Sequence, residues 1–273
     1  FSSSEMERLV EDLSDHVENK DLMFYARDKR LANLFRKYKV AGKVYELPDG
    51  FWGSYLGVVN SNLAGGKSDA FVEQDINLWL NVNSEGGVLG DLSVVREHNG
   101  ENEEEGWYRA TNKDYLKVYT NQGSELIFAD GNTVREEIRR DYTSDYIKLP
   151  VLGYEGDKIY NESQNIWVTQ EFGKQAFGSW LLTEAGERSN LELRYKNPAP
   201  DKFKLKEGRK FEFVFDKQSG SDTGLNIKVS APLGYVWQES DSSIYKYESN
   251  DVSKRVSFEL TLENQFEGEV IRE

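Results

Sequence analysis

Residues 56–82 read LGVVNSNLAGGKSDAFVEQDINLWLNV, and the architecture of the chain can be worked out from them. An apolar strand ends at Val59, and a second strand begins near Ala70. The second strand alternates apolar and polar residues and carries Ile76 on one face and Trp79 on the other, which is typical of a half-buried strand. The Asn and Gly residues between the strands tolerate positive φ, so a tightly shaped connection is predicted.

This connection holds the candidate ligand-binding residues, which are Asn60, Asn62, Gly65, Gly66 and Lys67. The sequence Gly-Lys-Ser resembles the end of a nucleotide-binding phosphate loop, but that motif requires a glycine where Ser61 stands and a helix afterwards. A nucleotide site is therefore not predicted. Two alternatives stay open. Backbone amides and Lys67 could hold an anion, or the Asn side chains could cap the local backbone while the glycines permit a close crossing. We favour the second.

Composition restricts the chemistry of the chain. It has 273 residues, a net charge of −14 and no cysteine. Disulfides, thiolate nucleophiles and cysteine-bound zinc are excluded, and the acidic balance disfavours nucleic acid as a partner. His16 and His98 belong to different segments, so no histidine-based metal site or catalytic triad is expected. No catalytic residue, metal ligand or cofactor is predicted, and a non-catalytic role is favoured.

Two further sequence features could bind a ligand. The acidic run at 99–106 could bind calcium weakly but lacks the order of a dedicated calcium loop, so a solvated hairpin tip is preferred. Aromatic side chains could form a sugar-stacking platform, although most aromatics in such a chain belong to the core. The platform candidates are Trp52, Tyr55, Trp107, Tyr108, Trp180, Tyr235 and Trp237. No apolar run is long enough for a transmembrane segment.

The predicted fold class is mainly β (α+β), with three parts. Residues 1–50 read as a short α/β remnant that packs on the next domain: a helix over 2–19 with a capping box at Ser4 and Glu7, a strand at 21–26, and a second helix capped by Asp28. Residues 51–198 read as a β-sandwich. The sequence Asn197-Pro198-Ala199-Pro200 predicts a boundary, and residues 199–273 read as a smaller Ig-like β domain. Further strands are predicted at 145–150, 165–172, 175–183 and 189–196.

Four segments in the same order and spacing resemble the C-terminal half of the bacterial domain-of-unknown-function family 4012. They are KDLMFYARDKRLANLFRKYKVAGKV, LGVVNSNLAGGKSDAFVEQDINLWLNV, YLKVYTNQGSEL and QEFGKQAFGSWLLTEAGERSNLELRY, at 20–44, 56–82, 115–126 and 170–195. The VVNANxGGxKSD-like loop of that family matches Asn60–Asp69, and its GKxxFGxxxxVxxGE-like hairpin matches Gly173–Glu187. The chain departs from the family at Thr120 and Asn121, where a valine and a proline are usual.

The resemblance implies a bacterial envelope protein that lies outside the cytoplasm and is anchored through a region N-terminal to this chain. That region is similar to LytR-type glycopolymer transferases, and the family supplies no catalytic residues. We therefore expect a non-catalytic, extracytoplasmic cell-surface module of unknown ligand, with cell-wall glycopolymer or another surface protein as partner. Two alternatives remain. One is the accessory half of an envelope glycopolymer-processing enzyme, in which Lys67 helps to hold a phosphate, and the other is a carbohydrate-binding module.

Overall fold

The computed structural model describes residues 2–38, 40–63, 65–133, 147, 153, 156–221 and 223–265. These residues form two α-helices, a short 3-10 helix and fourteen strands. The helices are α1 Ser3–Glu18, α2 Lys29–Lys37 and the 3-10 helix Ser68–Phe71. The strands are β1 Gly53–Val59, β2 Val72–Val82, β3 Val88–His98, β4 Asn112–Thr120, β5 Glu125–Asp130, β6 Ile159–Asn161, β7 Ile166–Glu171, β8 Lys174–Thr183, β9 Arg188–Asn197, β10 Lys210–Phe215, β11 Thr223–Ser230, β12 Tyr235–Trp237, β13 Ile244–Ser249 and β14 Val256–Asn264.

The strands form two mixed sheets that pack face to face. The eight-stranded sheet has the order β12-β14-β10-β1-β4-β8-β7-β6, and the six-stranded sheet has the order β13-β11-β2-β3-β9-β5. Alternate residues of both sheets point inward into one shared hydrophobic core, as expected of a sandwich. The predicted mainly β class and the β-sandwich are confirmed. The strands predicted at 165–172, 175–183 and 189–196 correspond to β7, β8 and β9, whereas the strand predicted at 145–150 lies outside the described residues except for Ile147.

The strands that follow residue 198 belong to the same two sheets as the strands before it. Strand β10 pairs in parallel with β1, with Gly53 opposite Glu212, and β11 pairs in parallel with β2, with Ile76 opposite Leu225. This pairing corrects the prediction of a separate Ig-like domain over 199–273. Alternation along β10 and β11 correctly identified their buried faces, but alternation does not state which sheet a strand joins.

The parallel pairing places two connections side by side. The first runs from β1 to β2 and the second from β10 to β11, and each carries the chain from the eight-stranded sheet to the six-stranded sheet. We call residues 60–71 the first crossover and residues 216–222 the second crossover. Both leave their sheets at the same end of the sandwich, because parallel neighbours run in the same direction. Polar groups from the two connections are thereby brought together.

The N-terminal helices differ in detail from their prediction. Helix α1 has its capping box at Ser2 and Glu5, two positions before the predicted pair. Helix α2 is capped by Asp28 as predicted, because the Asp28 carboxylate accepts the amide hydrogens of Arg30 and Leu31. The strand predicted at 21–26 is wrong, since these residues form no ladder.

Asp216, in the second crossover, fastens the N-terminal segment to the outer face of the eight-stranded sheet. Its carboxylate accepts hydrogen bonds from the Lys20 ammonium at 2.6 Å, the Arg255 guanidinium at 2.9 Å and the Tyr45 amide at 3.0 Å. Burial alone would raise the pKa of Asp216, but the Lys20 hydrogen bond and the two cations outweigh burial and hold this pKa below its ordinary value. The ionised carboxylate therefore stabilises the docked segment.

Candidate functional site

The first crossover is tied directly to the second. The Asn60 amide donates to Oε1 of Gln218 at 2.7 Å, and Nε2 of Gln218 donates back to the Asn60 carbonyl at 3.0 Å. A glutamine that satisfies both backbone groups of one residue substitutes for a missing strand neighbour. The two connections consequently hold a defined spacing beyond the ends of β1 and β10.

Close packing explains the asparagine and the two glycines that follow. Nδ2 of Asn62 donates to Oγ of Ser68 at 3.3 Å, and a Cβ on Gly65 would lie 2.0 Å from Oδ1 of Asn62. Gly66 has a φ of +65°, and a Cβ there would lie 2.6 Å from the carbonyl oxygen of Trp107. Glycine is thus required at Gly66 both for its backbone conformation and for the close approach of a neighbouring chain segment.

Lys67 lies against Trp107. The Lys67 amide donates to the Trp107 carbonyl at 2.9 Å, and its ammonium lies 5.4 Å from the centre of the Trp107 ring. The amides of Ser61 and Leu63 also donate within the protein, so these three amides point away from any bound anion. Asn60 therefore contacts the second crossover, whereas Gly66 and Lys67 contact Trp107. Anion binding by Lys67 stays a prediction.

A buried ionic network beneath the first crossover was missed by the sequence reasoning. Arg96 of β3 is 3% exposed and Asp114 of β4 is fully buried. The Arg96 guanidinium donates to Gln74 at 3.1 Å, to Asp69 at 3.2 Å and to Asn112 at 3.3 Å. Its Nε has no hydrogen-bond partner within the described part of the chain. The available signal was a charged residue at an inward position of each alternating strand.

Burial governs the ionisation of Asp114. Its Oδ1 accepts the Ser61 amide at 2.5 Å, while its Oδ2 lies 3.3 Å from Nη1 of Arg96 without forming a hydrogen bond. Desolvation raises the pKa of Asp114 to about 6, and the Arg96 charge and the Ser61 hydrogen bond oppose this rise only in part. Asp114 consequently titrates just below neutral pH in the folded protein.

A polar cleft opens between the two crossovers, with a volume of about 660 Å³. We call it the crossover cleft. Its described lining consists largely of amide, hydroxyl and carboxylate groups; it includes Asn60, Asp69, Glu73, Gln74, Asp75, Arg96, Asn99, Gln218, Ser219, Ser221, Thr223, Asn250 and Asp251, together with Phe71. Arg96 is the one cation among these lining residues, against four carboxylates. The cleft can therefore donate and accept many hydrogen bonds, but its charge repels anions.

The seven candidate platform aromatics do not form one exposed surface. Trp52, Tyr55 and Trp237 are at most 4% exposed and belong to the buried interior, which is the alternative that the sequence favoured for such aromatics. Trp107 is half exposed but lies beside Lys67. Trp79, which the sequence placed on the face opposite Ile76, is 46% exposed on the outer face of the six-stranded sheet.

The described residues contain neither a metal-binding cluster nor a membrane-spanning helix. No group of three or more His, Asp or Glu side chains there is placed to hold a metal ion. No helix there combines the length and apolar character that crossing a membrane requires. His98 is buried, with Nε2 at 3.0 Å from the Ala110 carbonyl and Nδ1 at 3.1 Å from the Gly100 amide, and His16 contacts Asp21 at 3.0 Å.

Comparisons with known proteins give weak structural likenesses. No protein-family model matches the chain, and no curated protein matches it. A candidate nutrient binding protein from Legionella pneumophila is similar over 79% of this chain and 72% of that one, with a TM-score of 0.40 and 8% identity. An M1 zinc metallopeptidase variant from Deinococcus radiodurans is similar over 70% of this chain and 42% of its own, with a TM-score of 0.30 and 10% identity. Likenesses this weak assign neither a fold family nor a role to the chain.

Proposed function

We propose that this protein is a non-catalytic binding module whose crossover cleft takes a neutral, polyhydroxylated ligand, a saccharide unit of a cell-surface glycopolymer. The observation that carries the proposal is the hydrogen-bonding capacity at the cleft. The described lining offers amide and hydroxyl side chains from both crossovers, among them Asn60, Gln218 and Ser219, together with four carboxylates. Such a lining suits a ligand with many hydroxyl groups, because each hydroxyl can donate to one group and accept from another.

Charge selects among ligands of this size. Four carboxylates face one buried guanidinium in the described lining, so a phosphate or a uronic acid would be repelled. Sugar hydroxyls both donate and accept, and they match a lining of amides, hydroxyls and carboxylates. The alternative of an accessory enzyme half concerns a different place, because Lys67, the residue that would help to hold a phosphate, is not among the described lining residues of this cleft.

The proposal includes a location. We propose that the chain is an extracytoplasmic module at the bacterial cell surface, and the resemblance to family 4012 supports this location. A surface glycopolymer would then be within reach of the cleft. The absence of cysteine from the sequence is compatible with this location.

The test is a titration of the chain against neutral and anionic oligosaccharides, followed by calorimetry and by amide chemical shifts. Asn250 lines the cleft and is exposed, so Asn250→Trp fills the cleft without disturbing the core. We expect neutral saccharides to shift the amides of residues 60, 73–75 and 218–221. We also expect Asn250→Trp to weaken binding at least about tenfold, a loss of about 1.4 kcal/mol.

The matched control is Gln238→Trp, which places the same side chain at an exposed position after β12 that does not line the cleft. It should bind as the unmodified chain does. If neutral saccharides leave the cleft amides unshifted, or if Asn250→Trp binds as tightly as Gln238→Trp, the proposed function is wrong.

A further inference from the structure

The outer face of the six-stranded sheet carries a groove of about 410 Å³ that is separate from the core and from the crossover cleft. Two aromatic side chains line its two ends. They are Trp79 of β2, which is 46% exposed, and Phe128 of β5, which is 45% exposed. A single exposed aromatic is ordinary on a protein surface. Two that border the same groove call for a physical explanation.

The strand pairing places both aromatics in one row across the sheet. Trp79 is opposite Asp91 on β3, Asp91 is opposite Arg194 on β9, and Arg194 is opposite Phe128 on β5. Three strand spacings separate the two rings, a distance of about 14 Å. Strand β5 has a register irregularity between Leu126 and Phe128, and such irregularities redirect side chains. The row therefore consists of the Trp79 ring, the Asp91–Arg194 ion pair and the Phe128 ring, in this order across the sheet.

The Trp79 ring is held in place by the sheet itself. Its Nε1 donates to Oγ of Ser230 on the neighbouring β11 at 2.8 Å. This bond satisfies the polar end of the indole and fixes its orientation, so the apolar face remains available for contact. A ring that is immobilised before binding loses little conformational entropy when a ligand stacks on it.

The outward-facing side chains between the rings are polar and electrically balanced. Asp91 and Arg194 form an ion pair, and Glu192 and Lys228 complete two charges of each sign among the described lining residues. Asn77 and Ser93 lie opposite each other in the adjacent row and supply further donors and acceptors. A protein interface concentrates its apolar area at its centre, whereas here the apolar groups stand apart and hydrogen-bonding groups fill the centre.

We propose that this groove, which we call the sheet-face groove, binds an unbranched chain of neutral sugars that lies across the strands, with one ring stacked on Trp79 and a later ring stacked on Phe128. Pyranose rings have apolar C–H faces that suit aromatic side chains and hydroxyl edges that suit the Asn77, Ser93, Asp91 and Arg194 side chains. The site does not depend on saccharide binding in the crossover cleft. The two sites adjoin along β2, where Asp75 lines the cleft and Asn77 lines the groove.

The experiment titrates the chain with two neutral hexasaccharides, the β-1,4-linked hexamers of glucose and of N-acetylglucosamine, and with their dimers. We expect at least one hexamer to shift the amides of residues 77–79, 91–93 and 192–194. A dimer cannot span both rings, so its affinity should be at least about tenfold lower. Trp79→Ala and Phe128→Ala should each weaken hexamer binding about tenfold or more.

Trp107→Ala is the matched control, because Trp107 is equally exposed at 50% but lies outside the groove. It should leave hexamer binding unchanged, and thermal unfolding of each variant verifies that it is folded. Because Trp79 and Phe128 lie on different strands, the loss of hexamer affinity can still be measured if one of the two variants does not fold. Asn250→Trp should retain hexamer binding in the groove. The two proposals are therefore tested separately, and either can be contradicted while the other stands.

Three outcomes would overturn the proposal. Neither hexamer binds; or Trp107→Ala loses as much affinity as Trp79→Ala; or light scattering shows that the free chain is a dimer that Trp79→Ala converts into a monomer while no sugar binds. The last outcome would assign this face to self-association.

Discussion

Asp114 is a buried carboxylic acid whose ionisation is linked to folding. Its carboxyl group has no contact with solvent, and the nearby Arg96 is only 3% exposed. Because the carboxylate has lost its hydration, burial favours the neutral, protonated form. The Ser61 amide and the Arg96 charge compensate only in part, and the pKa therefore rises to about 6. This residue also links the first crossover to β4, because the Asp114 carboxylate accepts the amide that follows Asn60.

The sign of the pH effect follows from this raised pKa. In the unfolded chain Asp114 has its ordinary pKa near 3.8, and in the folded chain the pKa is about 6. Between these values the folded state binds a proton that the unfolded state has released. The contribution of Asp114 to the free energy of unfolding is thus fully present below about pH 4 and is lost as the pH rises through about 6.

Asp114→Asn tests this linkage. We expect the unmodified chain to lose stability, relative to the variant, as the pH increases from about 4 to about 6.5, because asparagine cannot titrate. Urea unfolding at a series of pH values measures the difference. Asp201→Asn is the control, since Asp201 is exposed and should leave the pH profile of the unmodified chain intact. Parallel profiles for the unmodified chain and Asp114→Asn would show that Asp114 does not titrate in this interval.

At the scale of elements, the first crossover shows which local features a sequence reveals. Its ends and its tight shape were predictable, because Asn and Gly tolerate positive φ, and Gly66 adopts such a φ. The neighbours that make Gly65 and Gly66 necessary were not predictable, since Trp107 and Lys113 approach from a loop and a strand that are distant in the chain. The same limit applies to Trp79. Its position on the outer face could be predicted from alternation, but the position of Phe128 in the same row depends on the strand order, which the sequence does not reveal.

A series of three glycine substitutions separates backbone strain from steric contact. Gly66→Ala introduces both, because φ is +65° and the Trp107 carbonyl oxygen would lie 2.6 Å from the new Cβ. Gly173→Ala places a Cβ at a position of positive φ where no atom lies within 4 Å, so it introduces backbone strain alone. Gly106→Ala introduces neither strain nor a steric contact. We expect losses in the free energy of unfolding of about 2 kcal/mol or more, about 1 kcal/mol and about zero. Chemical denaturation measures all three, and equal losses at Gly66 and Gly173 would contradict the close approach at the crossover.

At the scale of the whole molecule, the sandwich is assembled from distant parts of the chain. The mainly β class and the strand faces could be predicted from residue alternation. The local sequence around Pro198 could not show whether a new domain begins there. A proline-rich connection ends β9 in either case. Only the pairing of β10 with β1 and of β11 with β2 shows that residues 199–265 complete the sheets.

Division of the chain at this connection tests the single sandwich. Residues 51–198 without β10 and β11 would leave one edge of β1 and one edge of β2 unpaired, and residues 199–273 would expose Phe211, Phe213 and Phe215, which are at most 2% exposed in the whole chain. We expect neither fragment alone to give dispersed amide signals or a cooperative thermal transition. An equimolar mixture refolded together should recover both, because the missing strand neighbours are then supplied in trans.

The control for this division is removal of the N-terminal helices. Residues 41–273 retain both sheets and the bond from the Tyr45 amide to Asp216, and α2 contributes no buried residue. This shortened chain should therefore unfold cooperatively, with a lower stability that reflects the lost Lys20 contact. A fragment 199–273 that folds by itself would instead restore the separate Ig-like domain. The parallel pairs would then be an interface between two domains, and the crossover cleft would lie at that interface.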